Sequence, residues 1–222
     1  MTTSRSALQW LERERDIKTL ENMGPRFGIH TDRAFGVPMA RMKVLAKELG
    51  TDHALAAELW ASGWYEARIV ASMVDDPKAV TAEQMDAWCE DFDNWAIVDT
   101  VCFNLFDRTP HAWSRVDRWA SGDREFVKRA AFALLWSLAI HDRASPDDRF
   151  AHGLELIERG AGDGRHLVDK AVEMALKAIG KRRPALTVAA ISVAERLAGS
   201  DDPAVRRVGR PSLTEIRRSA KS

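Results

Sequence analysis

Trp95 and Asp99 are the two residues of this chain whose types and spacing are best suited to chemistry. They stand four apart in the segment FDNWAIVDTVCFNLF, residues 92–106. On an α-helix, a spacing of four places two side chains next to each other on one face. Asp has a low helix propensity and is rarely buried without a partner. The carboxylate of Asp99 is therefore either satisfied by a specific donor or held for chemistry on a cationic group.

The indole of Trp95 offers a second means of holding a cation. The face of an indole ring attracts positive charge and can lie against a sugar. The alternative is that Trp95 fills the core, as most of the eight tryptophans are expected to do. The sequence leaves both interpretations open.

A second set of candidates lies on a helix expected between Gly164 and Gly180 and just after it. One face of this helix carries basic residues and a methionine at steps of four, three and four, and two arginines follow: Lys170, Met174, Lys177, Lys181, Arg182 and Arg183. Ammonium groups in such a line can follow the phosphates of a nucleic acid. A solvated lysine face is the alternative interpretation.

Arg129 follows Lys128 in a third candidate segment. It lies at helical steps from Phe126 and Trp136. An arginine beside an apolar stripe can clamp a phosphate through its planar guanidinium group. It can equally form an ion pair with Asp99 or another acid.

The elements that must position these residues are nearly all helical, because apolar residues recur at helical spacing and no stretch alternates as a strand. The spacing predicts helices over 38–49, 53–62, 65–74, 81–91, 94–107, 110–120, 124–140, 146–159, 164–180, 184–198 and 202–219. The stretch from Gly24 to Val37 is predicted to be a connector. Thr81 and Gln84 are predicted to form a capping box, in which the Gln84 side chain bonds back to the Thr81 amide.

Short helices with brief connectors predict an all-α chain of stacked antiparallel pairs. The expected architecture is an α-solenoid, or HEAT-like array, that is curved and has a concave basic face. A compact irregular bundle is the alternative, because no repeat is visible in the sequence itself. We expect a single domain over residues 1–222, with an N-terminal helix and connector in 1–37 and helical repeats in 38–222.

The formal net charge of the chain is zero, which argues against simple polyanion binding. The charge is nevertheless uneven along the chain. Residues 75–99 hold eight acids against a single lysine, and residues 181–222 hold ten Lys or Arg against four acids. This asymmetry is compatible with one basic surface, and equally with two solvated helix faces.

Composition also limits location and cofactors. The chain has no run of about 18 apolar residues, so no membrane span is expected. Its start lacks the apolar core of a signal peptide, and the two cysteines are expected to be reduced thiols in a cytoplasmic protein. The six histidines lack metal-ligand spacing, so neither a metal nor another cofactor is expected. A monomer is the expected state.

In combination, these segments resemble the AlkD-like DNA alkylation-repair family, whose members are helical-repeat glycosylases that excise cationic N-alkylated purines. The resemblance runs along almost the whole chain. It rests on the segments FGVPMARMKVLAKELG, LAAELWASGWYEARIVASMVDDP, VTAEQMDAWCEDFDNWAIVDTVCFNLF, REFVKRAAFALLWSLAIHD and LVDKAVEMALKAIGKRRPAL.

The resemblance implies roles for individual residues. Trp95 and Asp99 match the active-site Trp and Asp of the family, and Arg129 matches its phosphate-side Arg. Met174 stands where the family typically has a second tryptophan. The residues expected to contact DNA are Arg129, Lys128, Met174, Lys170, Lys177, Lys181, Arg182 and Arg183.

The activity implied by the resemblance is that of a DNA glycosylase that removes N3- or N7-alkylated purines from double-stranded DNA without flipping the base. Asp99 would stabilise the oxocarbenium-like sugar, and Trp95 would shield it. Two alternatives come from other classes of protein. One is a non-catalytic HEAT-repeat protein that binds damaged or branched DNA, and the other is a protein-interaction scaffold.

Overall fold

The computed structural model describes residues 3–221, and its regular structure is helical. Within that range it contains thirteen α-helices, one short 3₁₀ helix at Phe106–Arg108 and no strand. The α-helices are α1 (Ser4–Arg13), α2 (Ile17–Phe27), α3 (Met39–Leu49), α4 (His53–Ala61), α5 (Tyr65–Val74), α6 (Ala82–Glu90), α7 (Trp95–Asn104), α8 (Ala112–Ala120), α9 (Glu125–His141), α10 (Asp147–Gly160), α11 (His166–Gly180), α12 (Pro184–Ala198) and α13 (Pro203–Ser219). The predicted all-α fold class is confirmed.

The described residues fall into two compact units that divide after Pro110. Unit 1 contains α1 to α7 and unit 2 contains α8 to α13. Consecutive helices pack on one another in both units, as α4 does on α5, α8 on α9 and α12 on α13. The single domain expected from the sequence stays a prediction. None of the helices in residues 3–221 has the length and apolarity needed to cross a bilayer.

The N-terminal region differs from its prediction, because it contains two helices and the connector starts later. Helix α2 continues through Gly24 and Pro25 to Phe27. It ends at Gly28, which has a φ of 63°. Glycine adopts this left-handed conformation without strain, so Gly28 is the stop signal of the helix.

The predicted capping box at α6 is half correct. The Gln84 amide donates to Thr81 Oγ1 at 3.1 Å. The Gln84 side chain, however, donates to Asp75 Oδ2 at 2.7 Å rather than back to Thr81. Asp75 is buried and lies 2.6 Å from the Nδ1 atom of His53. A buried carboxylate needs hydrogen-bond donors, and this need outweighs the local capping bond.

A buried carboxylate fixes the end of the connector in unit 1. Glu66 on α5 is fully buried and accepts hydrogen bonds from three successive amides, those of Phe35, Gly36 and Val37, at 3.0, 2.7 and 3.2 Å. Burial raises the pKa of Glu66, and the amide donors act in the opposite direction. The segment that joins α2 to α3 is therefore pinned to α5.

Stacked aromatic rings hold α4 and α6 together in unit 1. The indoles of Trp60 and Trp88 are parallel within 3°, with ring centroids 4.0 Å apart. The guanidinium group of Arg68 lies 5.0 Å from the centroid of Trp60. The Trp60 indole N–H also donates to Asp91 at 2.8 Å. This arrangement combines ring stacking with a cation–π contact.

Helix α9 is the central helix of unit 2, and most of its residues are buried. Glycines on α10 let this helix approach α9 closely. A Cβ atom added at Gly160 would lie 2.4 Å from the Phe132 ring, and one added at Gly153 would lie 2.9 Å from Leu135. This close packing fixes α9, which carries several of the candidate residues.

Candidate functional site

Trp95 is the first residue of α7, and its position is set by a local cap. The side-chain oxygen of Asn94 accepts hydrogen bonds from the amides of Ala96 and Ile97, both at 3.1 Å. Such a cap fixes where a helix begins. The indole N–H of Trp95 donates to the Phe27 carbonyl at 2.9 Å. Its ring is therefore held in one orientation.

The surroundings of Trp95 are a small apolar cluster in unit 1. The cluster is built on Met23, Ile29 and Ala96, and the indole packs against it. Trp95 is only partly buried. The side chain of Phe27 is 43% exposed, with the Arg26 guanidinium group 5.3 Å from its ring centroid. The Trp95 side chain is thus packed against the apolar cluster and partly exposed to solvent.

Asp99 lies one turn after Trp95 on α7 and is also only partly buried. A separation of four residues places the two side chains on the same face of the helix. Helix α7 ends at Asn104, before the predicted end at residue 107, and the chain continues as the 3₁₀ helix. A carboxylate in this position can act on a cationic group that approaches the indole.

The second set of candidate residues lines a cleft in unit 2. The cleft has a volume of about 590 Å³. Its lining residues come from α9, the end of α11, the turn before α12, and α13: Trp136, Ala139, Ile140, Arg143, Met174, Lys177, Ala178, Lys181, Arg182, Arg183 and Glu215. Five of the eight predicted DNA-contact residues are in this set, namely Met174, Lys177, Lys181, Arg182 and Arg183.

The lining includes residues that the sequence reasoning did not assign to a site. Apart from two alanines, these are Trp136, Ile140, Arg143 and Glu215. The steps of four and three from Trp136 to Ile140 and Arg143 equal those from Met174 to Ala178 and Lys181, although Arg143 lies just beyond the end of α9. A search for two matching helical faces could therefore have found the first three. Glu215 is distant in sequence and has no such signal.

Glu215 neutralises part of the positive charge of the cleft. Its carboxylate contacts both Lys181 and Lys177, and the Lys177 Nζ lies 2.9 Å from Glu215 Oε2. The two ammonium groups lower the pKa of Glu215 to about 2. Lys177 also contacts Glu173 on its own helix. Lys177 is therefore the more fully neutralised of the two lysines.

Arg182 has a structural role within unit 2. Its guanidinium group donates to the backbone carbonyls of Ala139, at 3.0 Å, and Asp142. It also lies 3.9 Å from the centroid of the Phe150 ring. Burial lowers the pKa of Arg182, with the charge of Arg183 adding to the effect. Arg182 thus connects the turn after α11 to the end of α9.

Two other predicted contact residues are exposed and form surface ion pairs. The Lys170 Nζ lies 3.2 Å from Glu173, outside the cleft lining. Arg183 lies 2.7 Å from Asp147. Exposed ion pairs of this kind contribute little stability. A phosphate group can therefore replace the carboxylate at small energetic cost.

Arg129 and Lys128 lie near the start of α9 and do not line the cleft. Arg129 is 4% exposed and donates to the Leu167 carbonyl at 2.5 Å. The Lys128 Nζ lies 2.9 Å from Asp163. The guanidinium of Arg165, together with Lys128, holds the pKa of Asp163 well below its usual range. These contacts connect α9 to the chain that leads into α11.

Charge is divided unevenly between the two units. Residues 1–110 carry 12 Lys or Arg and 18 Asp or Glu, a formal charge of −6. Residues 111–222 carry 21 Lys or Arg and 15 Asp or Glu, a formal charge of +6. The candidate carboxylate Asp99 therefore belongs to the acidic unit, and the cleft belongs to the basic one.

Short helices packed on their neighbours, with a cationic cleft in unit 2, define a helical-repeat protein of the HEAT-like class. The sequence profile described as DNA alkylation repair enzyme matches residues 7–215, and the chain belongs to that family. The family expected from the sequence is confirmed.

One solved structure is similar in fold to this chain. It was described as "A new family of proteins related to the HEAT-like repeat DNA glycosylases with affinity for branched DNA structures". The TM-score is 0.79 at 21% sequence identity, over 98% of this chain and 97% of that one. This likeness supports the helical-repeat fold. No curated protein matches the chain.

Proposed function

We propose that this protein is a DNA glycosylase that excises purines made cationic by alkylation at N3 or N7. Membership of the DNA alkylation repair family supports an action on alkylated DNA. The observation that carries the proposal is the placement of Trp95 and Asp99 one turn apart on α7, both partly exposed. This pair offers an indole face and a carboxylate to one positively charged group.

The chemistry of the substrate explains why one carboxylate is enough. Ordinary glycoside hydrolysis uses two carboxyl groups, one of which protonates the leaving group. An alkylated purine already carries positive charge, so the bond between C1′ and the base nitrogen breaks with both electrons going to the base. Asp99 stabilises the cationic sugar that remains and orients the water that attacks C1′. The attacking water releases one proton to the solvent as the C1′–O bond forms.

Trp95 acts through its ring face rather than through its N–H group. The indole N–H is already bonded to the Phe27 carbonyl, so the polar edge is occupied. The face of the ring is then the part that meets a cationic sugar. Because the hydrogen bond fixes the ring before substrate arrives, little entropy is lost on binding.

The uneven charge of the two units supports a division of roles. The formal charge of −6 on residues 1–110 favours a positively charged transition state near Asp99. The +6 on residues 111–222 favours phosphate binding in unit 2. Following the resemblance to the AlkD-like glycosylases, we further propose that the alkylated base is not flipped into a pocket.

The decisive test is the Asp99→Asn variant on duplex DNA that contains 7-methylguanine. Single-turnover excision should fall by about 10²-fold or more, because an electrostatic stabiliser of the transition state is lost. The DNA affinity of the folded variant should stay close to that of the wild type. Glu58→Gln is the matched control, because it removes an exposed carboxylate on α4 of the same unit. Excision by Asp99→Asn at the wild-type rate would reject the proposal.

A second candidate function is non-catalytic binding of branched DNA. Two observations favour it: Met174 stands where the resembled family typically has a second tryptophan, and the similar solved structure was described as having affinity for branched DNA structures. Under this alternative the wild type binds branched DNA tightly and releases no base from alkylated duplex. The excision assay therefore separates the two functions.

A further inference from the structure

We infer that the cleft between α9 and α11 binds an unpaired nucleotide of a DNA strand. The base would lie against Trp136, Ile140 and Met174, and the phosphate would lie on Lys181 and Arg183. The inference rests on the proposed action on DNA and adds a binding site to it.

The apolar wall of the cleft suits a nucleobase. Trp136 and Met174 are both partly exposed, and the Ile140 side chain is 46% exposed although most of α9 is buried. These three side chains line the same cleft. Bases stack on aromatic side chains with little dependence on sequence, because every base has a π-face.

The cationic rim of the cleft suits a phosphate. Five cations and a single carboxylate line the cleft. The guanidinium group of Arg182 is occupied by two backbone carbonyls. Lys181 and Arg183 are exposed. Lys181 pairs with Glu215, and Arg183 pairs with Asp147 and donates to the Arg143 carbonyl at 3.1 Å. Phosphate contact therefore falls to Lys181 and Arg183.

An anion already bridges two of the ammonium groups. The Glu215 carboxylate contacts both Lys177 and Lys181. A carboxylate that joins two lysines occupies a position that a phosphate oxygen can take, since both are anionic acceptors. The cleft can therefore hold a phosphate without rearrangement of α11, provided that Glu215 moves aside.

The cleft is large enough for one nucleotide. Its volume of about 590 Å³ falls within the range of sites that hold single small ligands. A base inside a duplex is covered on both faces by its stacked neighbours, so a base that lies against Trp136 must stand outside the helical stack. The nucleotide is therefore an unpaired one.

Fluorescence anisotropy with two labelled probes tests the inference. One probe is a blunt duplex, and the other is the same duplex with a short single-stranded arm. The wild type should bind the armed probe more tightly. Ile140→Asp places a carboxylate on the apolar wall at an exposed position, and it should weaken binding of the armed probe by roughly tenfold while changing the blunt probe much less.

Val188→Asp is the matched control, because Val188 is a 71% exposed aliphatic residue on α12 that does not line the cleft. It should leave the affinity for both probes unchanged. Equal affinity of the wild type for the two probes would overturn the inference. Equal weakening of both probes by Ile140→Asp would also overturn it, since the cleft would then hold duplex.

A competition experiment distinguishes binding of a DNA strand from binding of a free nucleotide. Excess dAMP should displace the armed probe only weakly, because a strand adds neighbouring phosphates. Displacement by dAMP at concentrations comparable to the probe would assign the cleft to free nucleotides and reject the DNA strand.

Excision of 7-methylguanine from the blunt duplex by the wild type is measured separately. Preference for the armed probe without excision supports the nucleotide-binding cleft and rejects the glycosylase proposal. Excision without preference for the armed probe supports the glycosylase proposal and rejects the nucleotide-binding cleft. The two proposals can therefore fail independently.

Discussion

Glu215 is the residue that most limits the positive charge of the cleft. It pairs with Lys177 and Lys181, and these two ammonium groups would otherwise face an incoming phosphate. Its pKa of about 2 means that the carboxylate stays ionised at neutral pH. The protein therefore carries its own competitor for the phosphate position.

The Glu215→Gln variant should bind DNA more tightly than the wild type. Removing the carboxylate frees one cation for a phosphate, so the plot of log K against log salt should become steeper by about 0.9. Glu158→Gln is the matched control, because Glu158 pairs with Arg196 outside the cleft and the charge change is the same. A similar gain from both variants would point to overall charge rather than to the cleft.

The same substitution has a predictable effect on stability. Because the folded state lowers the pKa of Glu215, its ion pairs stabilise the protein above the unfolded value near 4.5 and cease to do so as the pH falls toward 2. The free energy of unfolding of the wild type should exceed that of Glu215→Gln by about 1 kcal/mol or less at neutral pH, since the carboxylate is partly exposed. Denaturant titrations at several pH values measure this difference.

Met174→Trp should strengthen binding of the probe that carries a single-stranded arm. Met174 lines the cleft of unit 2, and methionine has no ring face on which a base can stack. Base–aromatic stacking contributes about 1–3 kcal/mol per base, so an added indole should tighten binding by on the order of tenfold. Fluorescence anisotropy measures the effect, and Met174→Leu is the control for a change of shape alone. Unchanged affinity would count against contact between this position and a base.

At the scale of the element, the cap of helix α7 sets the position of Trp95 and Asp99, the proposed catalytic pair. Asn94 is buried, and its side-chain oxygen accepts from two amides of the first turn. The residue that follows it is Trp95. Any shift in the start of the helix moves the indole and Asp99 together.

Asn94→Ala should lower the free energy of unfolding by about 1 kcal/mol, because the first amides of α7 lose their acceptor. Excision should fall by more than this loss of stability accounts for, since both side chains that we propose to act in catalysis lie on α7. Asn94→Ser keeps a capping oxygen and should recover most of both quantities. Thermal unfolding and single-turnover excision are the two measurements. If Asn94→Ala is destabilised but excises the base at the wild-type rate, the cap is not needed to position the two side chains for excision.

The sequence predicts the helices well where local signals decide them. From α3 onward, helical spacing and Gly or Pro breaks predict each helix to within about three residues. Local signals do not predict a side-chain contact or a helix end that depends on residues distant in the sequence. Gln84 turns to Asp75, a carboxylate buried by tertiary packing. Gly24 lies inside α2 because the left-handed turn occurs at Gly28.

Contacts between residues distant in the sequence also limit how much of the cleft can be predicted. Lysine spacing and the methionine on α11 place Met174, Lys177 and Lys181 on one helix face, and the three line one cleft. The α9 residues of the opposite wall lie 34 to 45 residues earlier in the chain, and no local sequence signal links the two helices. Glu215 contacts Lys181 across a separation of 34 residues. Such pairings depend on packing and not on a motif.

At the scale of the whole molecule, a net charge of zero conceals two units of opposite sign. Total charge is therefore a poor guide to the DNA binding that we propose. The acidic unit repels phosphates, and the basic unit attracts them. Binding should consequently depend on a small number of cations in unit 2.

DNA affinity should fall with salt, with a slope of log K against log salt of about −2. The estimate counts the two cations assigned to phosphate contact, Lys181 and Arg183, at about 0.9 for each. Arg183→Ala should make the slope less steep by about 0.9. Arg196→Ala, which removes a cation outside the cleft, should leave the slope unchanged. A slope near zero for the wild type would instead favour the protein-interaction scaffold.

The parallel indoles of Trp60 and Trp88 give unit 1 a built-in spectroscopic signal. Two chromophores 4.0 Å apart share their excited states, so near-ultraviolet circular dichroism should contain an excitonic contribution from this pair. Loss of that contribution reports the opening of unit 1 alone, because both rings belong to it. Comparison with a probe in unit 2 during heating would show whether the acidic and basic halves melt in one step or in two.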